Sequence, residues 1–163
     1  MRLSPSERED RIERYARGPS LLKAALGKVP EAARKWRPGP GRWSVHEIVC
    51  HCADSETNAA LRIRYLAAAE SPLVHGYDQD AWAVRLDYHA LPLETALATV
   101  EAVRAHTAEV VRRLPETAWS REGRHTESGR YTGEDWLEVY AEHLEKHSHQ
   151  IERNLEAWVQ ERR

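Results

Sequence analysis

The 163-residue chain contains no phenylalanine, one methionine and only two cysteines. Two cysteines placed two positions apart, Cys50 and Cys52, cannot staple a fold, so a disulfide scaffold is excluded and a cytoplasmic location is expected. No run of about 18 apolar residues occurs, which excludes a membrane-spanning helix. Neither sign of charge is in excess: 24 Lys and Arg stand against 26 Asp and Glu, a net charge of −2. That balance provides no pull toward nucleic acid or anionic lipid, and no basic stripe is visible. The opening MRLSPSERED is too charged to be expected to act as a signal peptide. Internal repeats and low-complexity tracts are lacking too.

What is present is helical. Ala, Leu, Glu and Arg dominate, and the length suits one domain spanning residues 1–163. Six Trp, six Tyr and nine His stand out against the missing Phe. Ser4-Pro5-Ser6-Glu7 and Ser44-Val45-His46-Glu47 are capping boxes, and Thr132-Gly133-Glu134-Asp135 repeats the design. Trp43 with Ile48, and Tyr131 with Trp136, can close as hydrophobic staples. Leu91-Pro92-Leu93-Glu94 marks a further helix start.

Apolar residues then recur at steps of three and four. The first segment carries Ile12, Tyr15, Leu22 and Leu26, with Gly18-Pro19 expected to kink or split it. The second carries Val45, Ile48, Cys52, Ala59, Ile63 and Leu66. The third carries Leu93, Leu97, Val100, Thr107, Val111 and Leu114. The fourth carries Leu137, Tyr140, Leu144, His147, Ile151, Leu155 and Trp158. No segment alternates as a strand would. The expectation is an all-α four-helix bundle. Its long connections are the Pro/Gly-rich 27–42, then 70–91 with a short extra helix around YDQDAWAVRLDYH, then the polar 115–131.

Metal-type side chains cluster in VCHCADSE, residues 49–56. On a helix, neighbours stand about 100° apart, so Cys50, His51 and Cys52 cannot aim at one ion. Cys52 falls in the apolar face as a small core residue, and Cys50 points almost oppositely, as a surface thiol. The same rotation rules out a bridge between them. His51 sits at the edge of the stripe, about 60° from Ile48. Ser55, Asn58 and Arg62 share its side, forming a polar seam beside the core where a pocket can open. Glu47 and Asp54 are close in sequence.

In the last segment, YAEHLEKHSHQIERN, His143 and His147 are spaced i, i+4 and stack on one face. His147 lies inside the apolar stripe. Together with His51 they make a three-imidazole set suited to an open-sided Zn²⁺ or Ni²⁺ site. His149 lies about 200° past His147 and faces away. His46 falls on the far side of its helix, and His75, His89, His106 and His125 read as solvated.

Three stretches resemble the DinB/YfiT-like superfamily. WSVHEIVCHCADSE is similar to its second-helix motif, close to WS-x-x-E-x-x-x-H-L-x-D-x-E. HLEKHSHQI resembles its last-helix H-x-x-x-H-x-x-Q-I, and YDQDAWAVRLDY resembles the connection of one branch. The likeness runs from about residue 10 to 158. It implies a four-helix bundle with a long crossover and a metal triad at His51, His143 and His147. Cys52 departs from the aliphatic residue common there, without disturbing a small core position. Some members are thiol-dependent S-transferases using low-molecular-weight thiols such as bacillithiol or mycothiol. One branch includes maleylpyruvate isomerase, and others are described only as metal-dependent hydrolases.

The expectation is therefore a metalloenzyme of hydrolase or thiol-dependent S-transferase type, acting on a small molecule, with a thiol as possible co-substrate. Glu47, Asp54 and Glu142 are candidates for general acid–base work. Asp78 and Arg85 are candidates to reach the pocket mouth, against a plainer reading as a cap aspartate and a surface arginine. The competing class is a non-catalytic bundle that binds a small ligand or dimerises through its tryptophan-bearing faces. A homodimer is compatible with either.

Replacing Cys50 by Ser and Cys52 by Ala should leave metal content unchanged in element analysis, with Cys52→Ala costing about 1 kcal/mol in a denaturant titration. Loss of the ion in the double variant would refute the assignment of the two thiols.

Overall fold

The long helices begin where the capping signals lie. In the computed structural model, which describes residues 3–163, α1 spans Pro5–Gly27. Met1 and Arg2, the first two residues of the charged opening, lie outside that range. Ser4 Oγ accepts from the Glu7 amide at 3.3 Å while Glu7 Oε2 accepts from the Ser4 amide at 2.8 Å. A one-turn helix α2 (Glu31–Arg34) interrupts the first connection, and α3 runs Val45–Ala68 behind the Ser44/Glu47 box. A short strand β1 (Leu73–Val74), α4 (Gln79–Arg85) and a 3-10 turn at Tyr88–Ala90 lead to α5 (Leu93–Val111). Then come α6 (Glu116–Trp119), β2 (Glu122–His125), β3 (Gly129–Thr132), α7 (Gly133–Ala141) and α8 (His143–Glu161).

The architecture is a four-helix bundle in which α7 and α8 together form the fourth member. Helices α1 and α3 each pack against both α5 and the α7–α8 pair. Arg14 reaches Glu142 and Glu145 while Lys28 reaches Glu152, so α1 and α8 run parallel. Lys23 with Glu101 and Glu13 with Arg112 make α1 and α5 antiparallel. His46 meets Leu91, Glu56 meets Arg104 and Arg64 meets Thr107, so neighbouring α3 and α5 are parallel. Two parallel neighbours cannot be joined by a tight turn. The chain must return along the 24 residues of α3, roughly 36 Å at ~1.5 Å each, which is why 70–91 is long.

Several expectations need correction. Pro19 does not split the first helix, which continues to Gly27. Proline lacks an N–H, so the Tyr15 carbonyl loses its helical donor. Arg104 Nη1 donates to that carbonyl instead, at 2.6 Å. The fourth segment, read as one helix, breaks at Glu142. Strands do occur: β1 pairs with β2 in parallel and β2 with β3 antiparallel, with Gly129 at φ 80° closing the hairpin. These strands hold two to four residues each, too few for alternation to be legible. Cys50 is not a surface thiol but 2% exposed, its Sγ 3.6 Å from the Tyr88 carbonyl. His46 is buried against the Leu91 carbonyl at 2.9 Å, and His89 is half-buried 2.8 Å from Ser44 Oγ. The 70–91 connection lies over the face of α3 that helical rotation alone assigns to solvent. His125 is buried too, its Nδ1 accepting from the Glu127 and Ser128 amides in the hairpin loop.

The apolar core falls into two clusters. One carries Leu22, Ala53, Val100 and Leu144, the other Tyr15, Ala59, Ala108 and Tyr140. Between these levels sit Glu56 and Arg104, both 0% exposed. Their side chains pair at 2.6 Å and 2.7 Å, and Arg104 also donates to the Tyr140 carbonyl at 2.9 Å. Gly18 makes room for them: a Cβ there would lie 3.0 Å from Leu144 Cβ and 3.3 Å from Arg104 Nη1.

Arg104→Met should destabilise the protein by about 3–5 kcal/mol, because it strands a buried carboxylate. Adding Pro19→Ala should recover part of the loss by returning an N–H to the Tyr15 carbonyl. Urea titrations of the two variants test this; equal stability of Arg104→Met and the unaltered chain would contradict it.

Candidate metal centre

Helix α3 contributes His51 and α8 contributes His143 and His147, from antiparallel neighbours. One ring nitrogen from each lies within 4.8 Å of the others. Ring centroids are 5.6 Å apart for His51 and His143, 4.9 Å for His51 and His147, and 4.6 Å for the i, i+4 pair. Trp43 packs on His51 at 4.7 Å, and its carbonyl is held by Asn154 Nδ2 at 2.9 Å.

Polar neighbours orient two of the rings. Glu56 Oε1 accepts from His143 Nδ1 at 2.7 Å. Burial pushes the Glu56 carboxyl up, but the Arg104 guanidinium and the His143 hydrogen bond outweigh it and hold it down at about 2. The carboxylate can therefore only accept, which places a proton on His143 Nδ1 and turns Nε2 toward the other two rings. Gln150 Oε1 accepts from His147 Nδ1 at 2.9 Å, with the same consequence. Burial, then the neighbouring His147 and His143, pushes His51 down to about 2, and burial with His143 pushes His147 down to about 4. Both are neutral donors near pH 7. The buried His51 Nδ1 has no hydrogen-bond partner among the described residues. Three imidazoles, two of them held from behind through Nδ1 and the third with an unmet nitrogen among the described residues, fit a divalent metal ion.

The other candidates are scattered. Ser55 belongs to the site, its Oγ 3.4 Å from His143 Nε2. Arg62 Nη1 donates to Tyr140 Oη at 2.9 Å, and the Tyr140 ring lies 5.6 Å from His143. Asn58 turns back to the Asp54 carbonyl at 2.8 Å. Asp54 Oδ2 accepts from Tyr88 Oη at 2.6 Å. Glu47 is spent on the Ser44 cap and on Arg37, which with burial opposing them bring its carboxyl to about 2. Glu142 faces Arg14 and Lys146 on the bundle exterior. Asp78 caps α4 through the Ala81 amide at 2.9 Å, and Arg85 is exposed at the end of that helix.

Sequence reasoning passed over Glu56, Arg104 and Gln150. A signal for the first two was available. Glu56 falls between Cys52 and Ala59 in the apolar stripe, and Arg104 falls between Val100 and Thr107 in the other. Opposite charges at core positions of two helices are expected only as partners. Gln150 lies three residues past His147, a spacing that reaches back along one helical face.

The buried groups set a pH dependence. His51 and His147 have folded values below their ordinary 6.5. The unfolded chain binds those protons first, so stability falls as pH drops from 6.5 toward 4 and on toward 2. Glu47 and Glu56, lowered from 4.5, add loss below that point with the same sign. Metal-free protein should show a melting temperature that declines steadily on acidification from pH 7. His147→Gln should flatten the decline between pH 6.5 and 4.

The chain is 34% identical over 107 residues to "Putative metal-dependent hydrolase OB0782" of Oceanobacillus iheyensis, covering 66% of this chain and 62% of that protein. It is 24% identical over 146 residues to YfiT of Bacillus subtilis, covering 89% and 82% respectively. Several of these alignments span less than two thirds of the relative's own length. The solved structure of YfiT, described as a probable metal-dependent hydrolase with an unusual four-helix bundle topology, superposes with a TM-score of 0.87 over 94% of this chain and 88% of that one, at 23% identity. The four-helix bundle protein TT2238 superposes with a TM-score of 0.64 over 90% and 98%, at 22% identity. The sequence pattern of the DinB superfamily matches residues 14–151, and with the bundle and its paired histidine motifs in place, the chain belongs to that superfamily.

Proposed function

We propose that this chain is a metal-dependent hydrolase of a small molecule, with one divalent ion held by His51, His143 and His147. The observation that carries the reading is the convergence of three imidazole nitrogens within 4.8 Å, two of them with Nδ1 anchored by Glu56 and Gln150. When bound, the ion supplies Lewis acidity, lowering the proton affinity of a water or thiol on its open side. The protein's part is to keep His51 and His147 neutral by burial, to hold His143 and His147 from behind through Nδ1, and to present a hydroxyl beside them. Ser55 offers one such donor at His143. Of the three carboxylates considered for proton transfer, Glu47 and Glu142 are paired with cations, which leaves Asp54, held by Tyr88. Thiol-dependent S-transfer uses the same centre and is distinguished by its need for a low-molecular-weight thiol.

Element analysis should find about one Zn²⁺ or Ni²⁺ per chain after reconstitution. Because an ion binding only the native state raises stability, added metal should raise the melting temperature. His51→Ala and His147→Ala should abolish both effects, and His149→Ala, whose ring is exposed, should change neither. A screen of ester, amide and thiol-plus-electrophile substrates on metal-loaded protein, with a chelated control, identifies the chemistry. Turnover only with thiol present would select S-transfer. A chain that takes up no metal would sink the enzyme reading in favour of a ligand-binding bundle.

A further inference from the structure

We propose that a second cavity, apart from the histidine cluster, binds a small zwitterion of the α-amino acid type. None of the residues that line it belongs to the cluster, and the site does not depend on a metal ion.

The cavity lies where the two long connections meet the starts of α3 and α5. It holds about 460 Å³, within the ~300–1,000 Å³ typical of small-molecule sites. Arg34 and Lys35, at the end of α2, form one wall, with Glu31 one turn before them. His89 and Leu91 come from the 70–91 connection, and Glu94 from the first turn of α5. Lys35 Nζ donates to the His89 carbonyl at 2.8 Å, which ties the two connections together. His46, from the first turn of α3, is 6% exposed and forms part of the floor.

Both signs of charge line the cavity, and neither is spent within the protein. Arg34 is half-buried yet makes no ion pair and no hydrogen bond among the described residues; even its enclosed Nε lacks a partner. Lys35 meets only a neutral carbonyl. Glu31 and Glu94 take part in no ion pair among the described residues. Elsewhere on the same bundle surface opposite charges are paired, as in Lys23 with Glu101 and Lys28 with Glu152. An anion alone would face two carboxylates here, and a cation alone two basic groups. A ligand carrying both signs meets a partner for each.

The buried ring gives the ligand a direction. His46 Nε2 lies 2.9 Å from the Leu91 carbonyl, which can only accept, so Nε2 carries a proton. His46 Nδ1 has no partner among the described residues, and in the neutral ring it is an acceptor. A primary ammonium, with three donors and no acceptor, suits it. The carboxylate then falls to Arg34, whose planar fork matches it bidentately. The first amides of α5 add to that pole, since the helix starts behind Pro92 with no side-chain cap. Leu91 and Pro92 give apolar surface for a side chain. One small cavity holds both poles, so ammonium and carboxylate stand only a carbon or two apart in the ligand.

Calorimetric titration with glycine, L-leucine and L-methionine tests the site. At least one should bind. Its amide, which keeps only the positive charge, and its N-acetyl derivative, which keeps only the negative one, should each bind about tenfold more weakly, the value of one charged hydrogen bond. Arg34→Gln should weaken the free amino acid by about the same factor and leave the amide unchanged. Glu31→Gln combined with Glu94→Gln should weaken the free amino acid and leave the N-acetyl derivative unchanged. These side chains have no ion-pair partners in the protein, so the variants should keep the helical circular dichroism of the unaltered chain. Amino acids also chelate metal ions, so His51→Ala is the control for the histidine cluster and should bind as tightly as the unaltered protein. Loss of binding in His51→Ala would assign the ligand to the metal centre and overturn the proposal. No heat with any of the three amino acids, equal affinity for an amino acid and its two singly charged derivatives, or unchanged affinity in Arg34→Gln would overturn it as well.

Discussion

Arg104 is the residue on which the bundle turns. Its guanidinium is fully buried, and its hydrogen bonds reach three different helices. In α1 it supplies the Tyr15 carbonyl with the donor that Pro19 lacks. In α7 it reaches the Tyr140 carbonyl, one of the last-turn carbonyls before the break at Glu142. In α3 it pairs with the carboxylate of Glu56. A proline in mid-helix, a break in the fourth helix and a carboxylate in the core are each unfavourable alone. Grouped around one guanidinium, they satisfy one another.

The same pair reaches the histidine cluster. A buried ion pair is rarely the most stabilising choice for a core, because desolvating both charges offsets much of their attraction. Here the Glu56 carboxylate has a second use: it accepts from His143 Nδ1 and so decides which nitrogen of that ring faces the other histidines. Arg104 keeps the carboxylate ionised, and an ionised carboxylate is the stronger acceptor. The polar level between the two apolar clusters is therefore continuous with the histidine cluster. The cost in core stability and the orientation of a candidate ligand come from the same contacts.

The 70–91 connection has a comparable double role. Parallel neighbours α3 and α5 require it to be long, and the extra chain is laid over α3. There it buries Cys50 under Tyr88 and His46 under Leu91, and it brings Tyr77 to Arg62 and Tyr88 to Asp54. Burial, with Asp54 and Glu47 nearby, pushes the Cys50 thiol up to about 12, making it inert rather than nucleophilic.

Local physics made much of this legible beforehand. Capping boxes at Ser4, Ser44 and Thr132 name helix starts because a side-chain oxygen must meet an amide three residues on, an interaction contained within four residues. The three- and four-residue stripes name the helices and the bundle for the same reason. Rotation about one axis is also enough to part His143 and His147 from His149, and Cys52 from Cys50. What the sequence alone could not decide is what lies opposite each face. The burial of Cys50, His46 and His125, the continuity of α1 through Pro19 and the partnership of Glu56 with Arg104 all depend on chain 38 to 89 residues away or on a loop conformation. Helical periodicity gives the direction of a side chain; only the packed structure supplies the neighbour that turns that direction into burial, charge or a bond.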